Sequence, residues 1–123
     1  MSVDSKLKNV TPYITRDQSE IRELIHPGIH GNRAQSLAEA VVKPGATTRL
    51  HRHRQSEEIY HITQGQGRMR LANEIFNVSP GDSMCIPPGV AHCIENTGNI
   101  NLRLLCMCSP AYSHDDTELL EVE

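Results

Sequence analysis

The chain has 123 residues, a formal charge of −3 and a pI near 6.1. That length makes one domain, and it buries roughly two-thirds of its unfolded surface, so a core forms without disulfides. No basic run exceeds a pair of residues and no apolar run is long enough to cross a bilayer, which argues against nucleic acid and membrane as partners. The opening MSVDSKLKNV lacks the apolar core of a secretory signal, so the expected location is cytoplasmic.

In chain order, residues 1–34 read as an N-terminal arm and a short helix, 35–109 as a β domain and 110–123 as an acidic tail. Within the arm, RDQSEIRELI (16–25) spaces Ile21, Leu24 and Ile25 as a helical stripe. Asp17 or Ser19 is placed to cap it, and His26-Pro27-Gly28 to stop it. His26 and His30 flank that stop and read as solvated loop side chains. From residue 36 the pattern turns to strands over 36–42, 47–53, 57–64, 67–72, 75–78, 83–87, 91–95 and 101–108, separated by Gly, Pro and Asn turns. Short strands at this spacing predict an all-β sandwich or barrel. In the tail, 115–121 reads as a short helix or a loose end. Cys85, Cys93, Cys106 and Cys108 sit among apolar residues in predicted strands, where reduced thiols behave as small hydrophobes; a soft metal site at Cys106 and Cys108 is the other reading.

The chemistry gathers between Gly45 and Asn96. His51 and His53 stand at i and i+2, so a strand presents both imidazoles on one face. The five-residue step to Glu58 cannot keep that face along one strand, but the turn-like Arg54-Gln55-Ser56 allows a second strand to bring Glu58 back over the histidines. His92 follows a Pro-Pro-Gly turn and is a fourth candidate. Three imidazoles and a carboxylate are a reasonable shell for a divalent transition metal.

These positions resemble the two signature motifs of the cupins. Gly45, five residues, His51, one residue, His53, four residues, Glu58, six residues and Gly65 match the first motif. Gly81, Pro87, Gly89, His92 and Asn96 match the second, with fifteen residues between the motifs. Glu57 satisfies a shorter form of the first spacing, but the closing glycine then falls at Gln64, so Glu58 fits better. The resemblance implies a small jelly-roll barrel (a double-stranded β-helix) with His51, His53, Glu58 and His92 as ligands to one divalent metal: Fe, Mn, Ni, Co or Zn.

Four protein ligands fill a tetrahedral zinc shell, whereas a six-coordinate ion keeps about two positions open. A divalent ion balanced by Glu58 stays net positive, which favours an anionic or oxygen-rich small molecule. Strand parity extends the face of His51 back to Arg49, a candidate substrate anchor if it points inward and a rim residue if it does not. Tyr60 shares the face of Glu58 and is a candidate catalytic proton donor or a packing residue; His61 faces away. The resemblance implies dioxygenase-type or isomerase-type chemistry, or else a non-catalytic ligand-binding module, and commonly a homodimer.

Overall fold

The structure, a computed structural model, describes residues 2–120. Among the described residues eleven strands run in chain order: β1 (Tyr13–Ile14), β2 (Glu20–Ile25), β3 (Ser36–Val42), β4 (His51–His53), β5 (Glu57–Gln64), β6 (Gly67–Leu71), β7 (Glu74–Val78), β8 (Ser83–Ile86), β9 (His92–Asn96), β10 (Leu102–Ser109) and β11 (Thr117–Leu119). They form a six-stranded sheet ordered β1-β2-β3-β10-β5-β8 and a five-stranded sheet ordered β11-β4-β9-β6-β7, with antiparallel pairing throughout. This is the jelly-roll arrangement that the cupin resemblance implies, within the sandwich-or-barrel class that the turn spacing predicts.

Alternation in the strands builds the core. Along β5, Glu58, Tyr60 and Ile62 are buried while Glu57, Ile59 and Thr63 face out. Met69, Ile86, Ile94, Leu102 and Leu104 are at most 1% exposed and fill the space between the sheets with Ile62. Burying an aliphatic side chain of this kind contributes about 1.5–3 kcal/mol before chain entropy is counted. Gly65 closes β5 at φ 88°, and a Cβ there would lie 2.9 Å from the Asn101 carbonyl oxygen, so the turn accepts only glycine without adjustment. Asn96 ties the far loop: its amide donates to the Val42 and Ile100 carbonyls, and its Oδ1 accepts from Gly98 N–H.

Two predicted helices are strands. Residues 16–25 hold a turn and then β2, which pairs with β3 in the register Ile21 to Ala40 and Glu23 to Ala38. The stripe Ile21, Leu24, Ile25 suits a helix, but ten isolated residues make a marginal one. The edge of β3 offers β2 a ladder of backbone partners, interrupted by one register shift between Glu23 and Ile25. Asp17 caps no helix; its Oδ1 accepts from Ser19 N–H and Oγ in a tight turn with Gln18 at φ 77°. The short N-terminal helix lies later, at Pro27–His30, with His26 as its N-cap. In the tail, Thr117–Leu119 form β11 against β4, and residue 121 lies outside the described residues. Glu118 there meets Arg52 at 2.9 Å and Arg54 at 3.0 Å, and Asp116 accepts from Gln55 and Ser56 N–H.

Candidate metal centre

The four motif residues come from three strands. β4 pairs with β9 at His51 and His92, and β5 crosses from the other sheet with Glu58. The turn at Pro87–Gly89 is pinned to β4 by Gly89 N–H donating to the His53 carbonyl at 2.7 Å, which sets where His92 enters. One ligand atom from each of His51, His53, Glu58 and His92 lies within 4.8 Å of the others, and all four residues are buried. Ring centroids stand 5.2 Å apart for His51 and His53, 4.2 Å for His51 and His92, and 5.4 Å for His53 and His92.

The hydrogen bonds decide which nitrogen each ring presents. His51 Nδ1 contacts the Arg49 carbonyl at 2.7 Å and His92 Nδ1 the Val90 carbonyl at 3.0 Å. A carbonyl only accepts, so both Nδ1 atoms carry protons and donate. His53 Nδ1 lies 3.0 Å from Thr117 Oγ1, whose own proton goes to the Ser113 carbonyl, so His53 Nδ1 donates as well. In the neutral rings all three Nε2 atoms are therefore bare lone pairs, the form a metal takes.

Those lone pairs face negative charge. His53 Nε2 lies 3.1 Å and His92 Nε2 3.3 Å from Glu58 Oε1, and the fully buried His92 Nε2 has no hydrogen-bond partner among the described residues. Bare nitrogens against a buried carboxylate require a cation between them or a proton on one of them. Burial alone would raise the Glu58 pKa, but the imidazoles of His53 and His92 beside it outweigh burial and hold the carboxyl below its usual range. Burial likewise opposes protonation of His53, and Glu58 overcomes it, so the His53 pKa is raised. His51 goes the other way: burial first, then the charge of His92, lower it to about 4. A carboxylate kept ionised beside three oriented imidazoles fits a divalent transition metal. These four residues can hold one.

Around the centre lies a cavity that gives the centres of water molecules about 50 Å³. At roughly 10–15 Å³ per water it holds a few waters, so it suits a ligand of only a handful of non-hydrogen atoms. Tyr60 lines it, 4% exposed, with its ring 5.8 Å from that of His92. Burial, then the charge of Glu58, pushes the Tyr60 pKa well up, so its hydroxyl keeps its proton. Of the two places open to Arg49, the structure shows the outer one: its side chain is exposed and does not line the cavity. Regular strand begins only at His51, so the parity that carried the face of His51 back to Arg49 does not apply. Arg49 serves through its backbone, accepting from His51 and donating its N–H to the Asp17 carbonyl. His61 faces outward and bonds Ser83.

Several site residues escape a reading of local pattern. Asp17 Oδ2 stands 3.7 Å from His51 Nε2, brought there by the turn before β2. Thr117 arrives on β11. Cys108 donates to Glu58 Oε2 at 3.3 Å, so it acts as more than a small hydrophobe; burial, then the charge of Glu58, raises its pKa and keeps the thiol protonated. All four cysteines are free. His26 is no idle loop residue either: its Nδ1 accepts from Gly28 N–H and its Nε2 meets the Tyr112 carbonyl.

The Cupin domain family matches residues 38–108, and the chain belongs to that family. It is 52% identical over 119 residues to an uncharacterized protein of Methanocaldococcus jannaschii, covering 97% of this chain and 95% of that one. It is 30% identical over 92 residues to an oxalate-binding protein of Thermotoga maritima, covering 75% and 76%. Among solved structures it resembles that of a predicted oxalate decarboxylase from Thermotoga maritima, with a TM-score of 0.76 at 28% identity over 89% of this chain and 99% of that one.

Proposed function

We propose that this chain is a metal-dependent enzyme acting on a small, oxygen-rich molecule by proton-transfer chemistry of the isomerase type. The metal is held by His51, His53, Glu58 and His92. The observation that carries this reading is the convergence of three Nε2 lone pairs and a buried carboxylate on a small cavity, with the carboxylate of Asp17 beside them. A divalent metal supplies a Lewis acid there, stabilising negative charge that develops on a substrate oxygen.

The rest is the work of this chain's own side chains. Ser19 fixes Oδ1 of Asp17, which leaves Oδ2 to accept a proton from one substrate carbon and to return it to the neighbouring carbon, so that the isomerisation is proton-neutral. Tyr60 retains its proton and donates a hydrogen bond to a substrate oxygen. Ile21, Val42, Ile94 and Leu104 line the cavity and keep bulk water out. Dioxygenase-type chemistry uses the same four ligands and stands second, because a carboxylate beside the centre directly supports proton transfer. A non-catalytic binding module is supported by the relative named for oxalate binding. The reading also includes a homodimer.

The test is metal content of anaerobically purified protein and of His92→Ala by elemental mass spectrometry, with circular dichroism as a check on folding. Metal near one per chain, lost from a folded variant, is expected; equal metal in both removes the centre. Deuterium entering an α-hydroxycarbonyl compound in D2O, abolished by Asp17→Asn, separates proton transfer from dioxygen uptake.

A further inference from the structure

Glu23 projects from β2 into the cavity and is 9% exposed. Its Oε1 accepts from the Tyr13 hydroxyl at 2.7 Å, while the buried Oε2 has no hydrogen-bond partner among the described residues. A carboxylate oxygen withdrawn from water without a donor is costly, and native structures rarely leave one so. Its position is built. Glu23 pairs with Ala38, Ala38 with Cys106, and Cys106 with Tyr60, so a single rung crosses the larger sheet from Glu23 to Tyr60. The two residues between are small and leave the rung open to the cavity. Three strand spacings put the backbones at its ends roughly 14 Å apart along a flat sheet, less where the sheet curls.

The charges of the cavity select the ligand further. Among the described residues no Lys or Arg lines it; the ionisable groups other than histidine, tyrosine and cysteine are Asp17, Glu23 and Glu58. A divalent ion balanced by Glu58 leaves one net positive charge, and the carboxylates of Asp17 and Glu23 more than cancel it. A ligand with a second carboxylate would bring that group against acids with no cation to receive it.

Resting on the metal-centre reading above, we propose that Glu23 Oε2 is a recognition site for a hydroxyl donor. The ligand is then a small chelating hydroxy acid or hydroxycarbonyl compound whose end remote from the metal bears hydroxyl groups rather than a carboxylate. Tyr13 is the positioning residue that holds Glu23.

Lactate, glycerate and malate test this, because they share one chelating head and differ in a methyl, hydroxymethyl or carboxymethyl tail. Each is titrated calorimetrically into the Co(II)-loaded full-length protein. Glycerate is expected to bind about tenfold tighter than lactate, the effect of one hydrogen bond to a charged group, with malate weakest. Glu23→Gln removes one negative charge for all three anions alike, so the comparison is made within the variant: glycerate falls toward lactate and the malate penalty relative to lactate shrinks. Tyr13→Phe, which leaves the carboxylate in place, is expected to reduce the glycerate advantage in part and serves if Glu23→Gln does not fold. Glycerate binding no tighter than lactate, malate binding tightest, or a glycerate advantage that survives both substitutions overturns the site. Co(II) uptake with no binding of any of the three overturns the site and leaves the metal centre standing. Failure to take up Co(II) overturns the metal centre and this inference with it.

Discussion

Thr117→Val tests whether the centre depends on a residue 64 positions away in sequence from the ligand it contacts, His53. Thr117 is 4% exposed, and its Oγ1 accepts the His53 Nδ1 proton at 3.0 Å. Valine keeps the shape and deletes the acceptor, so a buried imidazole N–H is stranded at a cost of about 1–3 kcal/mol. The ring then gains by moving its proton to Nε2, where Glu58 Oε1 waits at 3.1 Å, and a protonated Nε2 cannot bind metal. Both routes put the loss in metal affinity at about 10–100-fold, or about 1.4–2.7 kcal/mol. Backbone pairing of β11 with β4 does not involve the hydroxyl, so the barrel remains folded. The assay is competition for Zn(II) or Co(II) against a chromogenic chelator, with Thr117→Ser as the variant that keeps the acceptor. Equal affinity for Thr117→Val and wild type would refute the claim that Thr117 orients His53.

The metal-stripped protein should lose stability as pH falls from about 6.5 to about 4, because His51 takes a proton near 6.5 when unfolded but only near 4 when folded. The unfolded state binds the extra proton in that window, so stability rises with pH there, by at most roughly 3 kcal/mol from this group. His53, with its raised pKa, works in the opposite sense and offsets part of the decline; Glu58, held low, extends the loss to more acid pH. Urea midpoints between pH 7 and 4 should fall in the wild type and flatten in His51→Gln; parallel curves would contradict the assignment. Gly65→Ala should destabilise by more than about 1 kcal/mol, since a φ of 88° and the 2.9 Å approach to Asn101 act together. An unchanged midpoint in thermal unfolding would show that the turn relaxes freely.

The barrel strands and the four-residue centre were legible because their signals are local. Alternation in 57–64, the i and i+2 spacing of His51 and His53, and the glycines at the turns belong to short stretches that behave alike in any barrel. Even there, parity carried only as far as regular strand reaches. It placed Tyr60 and His61 on opposite faces, as found, and failed at Arg49, where the chain before His51 is irregular.

Asp17, Glu23 and Thr117 depended on the completed barrel. Their segments carry apolar spacings that a helix or a strand accepts equally well; Glu23 and Thr117 became strand because an open sheet edge, at β3 or at β4, offered backbone partners, and Asp17 sits in the turn that leads into the first of these strands. That edge exists only once distant parts of the chain have paired. Local order in 45–96 therefore sets the ligands, while long-range pairing of the two ends supplies the acid beside His51, the acceptor behind His53 and the carboxylate that closes the cavity.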